Sequence, residues 1–192
     1  NAKVVAVWAA VLNAVPDSRL LLKGQGLDQR PVRGRLLAAF EKLGIAATRI
    51  KTLAWVPRDQ NPMGLYGRAD IALDTFPYNG TTTTLEALWM GLPVVTLAGG
   101  RHSARVGASL LSNGGLGLEV AETPEAYVDI AAALAGAPEV LAEFRQEVRG
   151  ILRASPLVDG TGFASPAEVQ VARESASHWT SAGAAGKSAT EN

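Results

Sequence analysis

The sequence predicts an α/β fold in which a parallel sheet is covered by helices on both faces. Short apolar segments alternate along the chain with longer segments whose apolar residues recur at helical spacing. The short segments, such as Leu20-Leu21-Leu22, are continuously apolar, which is typical of strands buried on both faces. A hydrophobic share of 47% is enough to bury such a sheet.

Helices are predicted where apolar residues fall on one face and where capping residues, proline or glycine mark the ends. Asp28 is a candidate N-cap with Pro31 in the first turn, Thr123 precedes Pro124 at another helix start, and Gly91 ends a helix. The predicted helices span residues 4–15, 28–43, 60–66, 83–90, 102–111, 123–134 and 138–153. The predicted strands span residues 19–23, 49–55, 71–74 and 93–97, with a short extended segment at 116–120.

The composition excludes several classes of function. The chain has 18 basic and 18 acidic side chains, so no surplus of cations is available to offset the phosphates of a nucleic acid or an anionic membrane. The absence of cysteine excludes a disulfide scaffold, a thiolate metal site and a cysteine nucleophile, and two histidines are too few for a histidine-rich metal site. We therefore expect no metal, no nucleic-acid partner and no membrane partner.

The apolar segments and the first residue give expectations about location and completeness. No segment of the chain reaches the ~18 uninterrupted apolar residues of a membrane helix. The longest apolar run, Val4 to Leu12, is followed by Asn13 and Pro16, which favours the end of a buried helix over a signal-peptide core. A cytoplasmic protein is therefore expected, and because the first residue is Asn1, we expect a fragment or a processed product.

The length of 192 residues suits one domain with a tail. We expect the domain to span residues 1–163 and a C-terminal segment to span 164–192, frayed after about residue 174, where Ser, Ala, Gly and Thr dominate. Gly186-Lys187-Ser188 resembles the end of a phosphate-binding loop, but the first glycine of that motif would fall at Ser181. That motif is therefore rejected.

Ligands of open parallel sheets bind beyond the carboxyl ends of the strands. This rule selects four places: Lys23, the segment after Trp55, the segment after Asp74, and the loop at 98–101. No G-x-G-x-x-G follows a strand, which argues against a nicotinamide dehydrogenase, and no G-x-S-x-G or D-x-D motif is present.

The segment 74–86 is the most informative because it connects a strand to a helix. Gly80 permits a tight turn, and Thr81, Thr82, Thr83 and Thr84 lead into a helix whose first N–H groups lack internal partners. Those N–H groups, the helix dipole and the hydroxyls suit a diphosphate, and Glu86 lies one turn further, within reach of a ribose diol. The alternative is a capping box, Thr83-x-x-Glu86, without a ligand.

Other candidates have two interpretations each. Lys23 and Arg58 follow strands and are either phosphate ligands or solvated surface cations. For Arg105 a solvated or salt-bridged helix face is favoured, and His102 either caps its helix or contacts a ligand. Asn79-Gly80-Thr81 matches a glycosylation sequon, but a turn is the better interpretation.

Residues 70–97, D-I-A-L-D-T-F-P-Y-N-G-T-T-T-T-L-E-A-L-W-M-G-L-P-V-V-T-L, resemble the catalytic region of O-GlcNAc transferase-like (SPINDLY-type) glycosyltransferases, especially bacterial members with tetratricopeptide repeats. Further matching segments lie in the same order at 8–22, 65–68, 102–110 and 155–157. The resemblance covers about residues 4–163.

The resemblance implies a GT-B fold, of which this chain is the C-terminal, Rossmann-like half that binds the nucleotide sugar. Such enzymes transfer a sugar, usually N-acetylglucosamine and in some plant members fucose, from a nucleotide diphosphate to a serine or threonine hydroxyl, with inversion and without metal or other cofactor. The implied partners are a UDP-sugar, a protein acceptor, and a missing N-terminal half with tetratricopeptide repeats. The isolated fragment is expected to be inactive.

The family pattern also assigns roles to single residues. Thr82 and Thr83 correspond to the diphosphate ligands, and Glu86 corresponds to an acidic ribose ligand that is Asp in other members. The backbone of Trp55-Val56-Pro57 corresponds to the uracil contact.

Two departures from the pattern leave other functions open. The family's histidine before the segment 65–68 falls at Pro62, and its essential lysine lies upstream of Trp8, where Lys3 is the nearest candidate but too close in sequence. A non-catalytic nucleotide-sugar-binding module is therefore an alternative. A GT-B-related sugar-nucleotide epimerase is another, and it calls for additional acids that the sequence does not show.

Overall fold

The structure is a computed structural model that describes residues 1–57 and 62–160. The helices of the described residues are α1 (Ala2–Ala14), α2 (Arg30–Glu41), α3 (Thr82–Trp89), α4 (Val106–Asn113), α5 (Pro124–Ala135) and α6 (Pro138–Ala154). The strands are β1 (Leu20–Lys23), β2 (Ile50–Leu53), β3 (Ala72–Leu73), β4 (Val94–Leu97) and β5 (Val120–Ala121). Short 3-10 helices span Ala47–Arg49, Pro62–Arg68, His102–Ala104, Gly117–Glu119 and Pro156–Val158.

All pairings between these strands are parallel, as predicted. They form two hydrogen-bonded groups, β1–β2 and β3–β4–β5. In the first group Lys23 pairs with Leu53, and in the second Leu73 pairs with Val95. The carboxyl ends of paired strands therefore meet at one edge in each group, where the sequence predicts ligand contacts.

Strand β4 shows that helices cover both faces of the sheet. Val94 packs in one apolar cluster with α3, α4 and α6, whereas the next residue, Val95, packs in a second cluster with α1 and α5. Because successive strand residues point to opposite faces, the two clusters lie on opposite sides. A third cluster around Phe40 joins α1 and α2 to β1 and β2. The predicted fold class is confirmed.

Several predicted elements differ in detail. Asp28 does not cap α2, because the helix begins at Arg30 and Gln29 is its N-cap without a side-chain bond. The predicted helix 102–111 is broken at Arg105, since the Ala104 carbonyl accepts from Gly99 N–H at 2.8 Å and does not continue the helix. The extended segment at 116–120 is largely a 3-10 turn that leads into β5.

The remaining predicted bounds shift by small amounts. Strand β2 ends at Leu53, so the predicted strand 49–55 is too long. The short helix predicted at 60–66 is a 3-10 helix over Pro62–Arg68, and residues 60 and 61 lie outside the described part. The segment 164–192 also lies outside the described residues. No helix in the described ranges is long and apolar enough to cross a membrane.

Replacing Leu88 with alanine tests the core between α3 and β4. Leu88 is completely buried, so Leu88→Ala leaves a cavity that lowers the free energy of unfolding by about 2–5 kcal/mol. Leu43 is 42% exposed, and Leu43→Ala is expected to cost under about 1 kcal/mol. Urea denaturation followed by circular dichroism measures both, and equal losses would contradict this assignment of the core.

Candidate functional site

The loop between β3 and α3 is organised around the carboxylate of Asp74. Its Oδ1 accepts from the N–H groups of Thr75 and Gly80, both at 2.8 Å, and its Oδ2 accepts from the Thr96 hydroxyl on β4 at 2.7 Å. Burial raises the pKa of Asp74, and the three hydrogen bonds oppose that rise by stabilising the charged form. The carboxylate thus draws the two ends of the loop together.

Asn79 fixes the second half of the loop. Its N–H donates to the Ser103 carbonyl at 2.8 Å, its amide nitrogen donates to the Thr75 carbonyl at 2.8 Å, and its amide oxygen accepts from Gly107 N–H at 3.3 Å. The side chain is only 1% exposed. This supports the interpretation of Asn79-Gly80-Thr81 as a turn.

Helices α1 and α5 hold the loop from the other side. The Tyr127 hydroxyl donates to the Asp74 carbonyl at 2.9 Å and accepts from the Trp8 indole at 3.4 Å. The Asn1 amide donates to the Phe76 carbonyl at 2.8 Å and also caps α1. The amino terminus of α1 therefore adjoins the loop, and the exposed Lys3 lies in its first turn.

The four threonines divide into two groups. Thr81, Thr82 and Thr83 are exposed, whereas Thr84 is buried and its hydroxyl donates to the Gly80 carbonyl at 3.0 Å. Thr81 is the N-cap of α3, and its side chain makes no capping bond, so the first N–H groups of the helix remain available. A β-carbon on Gly80 would lie 2.5 Å from the Thr83 hydroxyl oxygen, which explains the glycine.

Glu86 is held by a residue that the sequence did not identify as part of the site. The Tyr66 hydroxyl donates to Glu86 Oε2 at 2.9 Å. The Lys23 ammonium lies 5.9 Å from the centroid of the Tyr66 ring. The capping box Thr83-x-x-Glu86 does not form, because Thr83 lies inside α3 and Glu86 is oriented by Tyr66. The only sequence signal for Tyr66 was its place in the matching segment 65–68.

A cavity of about 280 Å³ lies beside Thr82 and Glu86. Its walls are mostly apolar and come from α3, from the 3-10 helix before β3, and from the end of α6 with the turn that follows. These further lining residues are Met63, Leu85, Trp89, Leu152, Leu157 and Val158. The two polar side chains of the predicted donor site therefore border an apolar recess.

The other predicted site residues lie at the edge of this region or outside the described part. His102 is exposed and does not cap its turn; it adjoins the loop through its neighbour Ser103. Val56 and Pro57 are half-buried and follow β2 beyond the residue paired with Lys23. Arg58 lies outside the described residues.

Arg105 is exposed, in agreement with the favoured interpretation of a solvated face. Its guanidinium donates to the Gly99 carbonyl at 3.2 Å, in the loop that follows β4. The residue is exposed, so this bond stabilises the loop modestly.

Residues 1–166 match the family model described as glycosyl transferase family 41. The chain belongs to glycosyl transferase family 41. Membership confirms the predicted relationship to O-GlcNAc transferase-like glycosyltransferases, which rested on the motif at 70–97.

Individual family members show the extent of the similarity. The Hordeum vulgare protein named "probable UDP-N-acetylglucosamine–peptide N-acetylglucosaminyltransferase SPINDLY" is 44% identical over 161 residues, which are 84% of this chain and 17% of that protein. The Arabidopsis thaliana protein with the same designation and the name SEC is 31% identical over 159 residues, 82% of this chain and 16% of that protein. The chain therefore spans less than a fifth of the length of these relatives.

A solved structure gives the same picture for the fold. A mutant O-GlcNAc transferase of Thermobaculum terrenum superimposes with a TM-score of 0.81 at 41% identity, over 89% of this chain and 32% of that one. The match supports a family 41 fold for the described residues.

Removing the Asp74 carboxylate tests whether it organises the loop. Asp74→Ala leaves the Gly80 N–H and the Thr96 hydroxyl without their acceptor, so we expect the free energy of unfolding to fall by about 2–3 kcal/mol. Asp70→Ala makes the same change at an exposed position and is expected to cost less than about 0.5 kcal/mol. Chemical denaturation compares them, and a neutral Asp74→Ala would show that the loop does not depend on this group.

Proposed function

We infer that this chain is the donor-binding part of an inverting, metal-independent O-glycosyltransferase. The sugar is N-acetylglucosamine or a related sugar, the donor is a UDP-sugar, and the acceptor is a serine or threonine of a protein. The observation that carries the proposal is the row of exposed hydroxyls on Thr81, Thr82 and Thr83 at the start of α3, beside the oriented carboxylate of Glu86. The proposal is supported by the family 41 relatives, which are named as probable UDP-N-acetylglucosamine–peptide N-acetylglucosaminyltransferases.

In this proposal the diphosphate sits against the amino terminus of α3. The free N–H groups and the positive end of the helix dipole favour an anion, and the threonine hydroxyls add hydrogen bonds. Glu86 has one carboxylate oxygen bonded to Tyr66, which leaves Oε1 to accept from a ribose hydroxyl. The backbone of Val56 and Pro57 meets the uracil, as the family resemblance implies.

Transfer would form a bond between the acceptor oxygen, which gives up its proton, and the anomeric carbon, while the bond from that carbon to the β-phosphate oxygen breaks on the opposite face and UDP leaves. Negative charge then develops on the departing diphosphate, where preorganised donors stabilise the transition state. Lys23, Arg58 and His102 are proposed as further contacts of the donor, with Lys23 acting as a point charge. We assign no catalytic residue within this chain. We propose that the complete enzyme is cytoplasmic and also includes an N-terminal half and tetratricopeptide repeats.

Calorimetric titration with UDP tests the binding site. The variant Thr82→Ala/Thr83→Ala removes two hydroxyls and is expected to bind UDP at least about tenfold more weakly than wild type, since hydrogen bonds to charged groups are strong. Thr48→Ala serves as the control, because Thr48 is exposed on a 3-10 turn away from α3. Undetectable binding of UDP to wild type would refute the proposal, and tighter binding of GDP than of UDP would refute the uracil assignment.

Turnover of UDP-N-acetylglucosamine tests transfer. We expect no release of UDP with this chain alone and measurable release, together with sugar on an acceptor peptide, with a longer polypeptide that includes upstream sequence. The reason is that the donor half supplies leaving-group stabilisation without a partner surface for the acceptor. Binding without turnover in either polypeptide would instead favour the non-catalytic module, which the proline at position 62 also suggests.

A further inference from the structure

The hydroxyl of Tyr66 makes the contact that fixes Glu86. Glu86 is half-buried on α3, and its side chain has several rotatable bonds. The Tyr66 hydroxyl lies 2.9 Å from its Oε2 and 3.4 Å from the Thr83 carbonyl. A carboxylate held at one oxygen presents its other oxygen in a defined direction, so the bond converts a mobile acid into an oriented acceptor.

Tyr66 is itself well anchored. Its ring packs against the apolar cluster that includes Leu88 and Val94. The Lys23 ammonium lies over the ring, 5.9 Å from its centroid. The ring therefore connects the carboxyl end of β1 to α3, and it holds its hydroxyl at one place beside the first turns of that helix.

The protonation state of the phenol suits this role. Burial, the hydrogen bond to Glu86 and the charge of Glu86 all raise the pKa of Tyr66. The hydroxyl is therefore protonated at neutral pH and donates, while Glu86 accepts.

We propose that Tyr66 is the positioning residue of the ribose subsite and that, through Glu86, it makes the site select nucleoside diphosphates that carry free ribose hydroxyls. This proposal rests on the proposed donor-binding function. Glu86 contacts the ribose in it, whereas Tyr66 acts only through Glu86. Loss of the Tyr66 hydroxyl should therefore affect ribonucleotides and leave nucleotides without ribose hydroxyls unchanged.

The test measures binding of UDP and of dideoxyuridine diphosphate, which lacks both ribose hydroxyls, to wild type and to Tyr66→Phe. Wild type should bind UDP more tightly than the dideoxy compound. Tyr66→Phe keeps the ring and its contact with Lys23, and we expect its affinity for UDP to fall by about fivefold to tenfold, with no change for the dideoxy compound. An unchanged affinity for UDP, or an equal loss for both nucleotides, overturns the proposal.

Two further variants sharpen the result. Tyr127→Phe removes a hydroxyl that supports the loop backbone at Asp74, so any loss there should be equal for both nucleotides. Tyr66→Phe/Glu86→Ala should bind UDP no more weakly than Glu86→Ala, because the tyrosine acts through the acid. Additive losses, or a Tyr66→Phe chain that does not fold, would overturn a positioning role. Failure of wild type to bind either nucleotide would instead refute the proposed function.

Discussion

The buried carboxylate of Asp74 is the interaction on which the rest of the site depends. A carboxylate that is 7% exposed is costly to bury unless hydrogen bonds compensate it. Here the compensation comes from the loop's two ends and from β4, through Thr75, Gly80 and Thr96. A loop path that broke these bonds would leave the buried carboxylate without its donors. Hydrogen bonding to this buried carboxylate therefore stabilises the observed loop conformation.

The same carboxylate explains the close approach of α4. A β-carbon on Gly107 would collide with Asp74 Oδ2 and with the Thr96 hydroxyl, so only glycine lets this helix lie against the pair. The N–H of Gly107 donates to the Asn79 side-chain oxygen, and the backbone N–H of Asn79 donates to the Ser103 carbonyl. The start of α3 is thus positioned by a continuous set of buried and partly buried hydrogen bonds. Such a set gives the threonine row a fixed geometry before any ligand arrives, which is the requirement for binding an anion without a large ordering cost.

Local sequence signals were sufficient for most of the fold and for selecting the loop between β3 and α3. Continuous apolar runs and punctuating Gly and Pro located the strands and helices, and the strand-end rule selected the loop after Asp74. The sequence could not separate Thr84 from its three neighbours, because its burial depends on how α3 meets the sheet. It also missed the Tyr66–Glu86 bond, since the partners are brought together only by tertiary packing. The break of the predicted helix at Arg105 was missed as well, because it depends on the bond from Gly99 N–H to the Ala104 carbonyl, which no local sequence pattern indicates.

The zero net charge of the chain is consistent with an anion site of this construction. On the proposed function, the diphosphate is bound chiefly by N–H groups, hydroxyls and a helix dipole, which add nothing to the formal charge. Short-range neutral donors depend on geometry within a few tenths of an ångström and are screened little by salt, whereas isolated surface cations act at longer range and are screened strongly. Lys23 lies over the ring of Tyr66, whose hydroxyl donates to Glu86, so the structure ties this cation to the region through Tyr66. On the proposed function, such a site discriminates by shape and hydrogen-bond direction, and its preference for nucleotides with free ribose hydroxyls depends on Tyr66, which fixes the direction of Glu86 without adding charge.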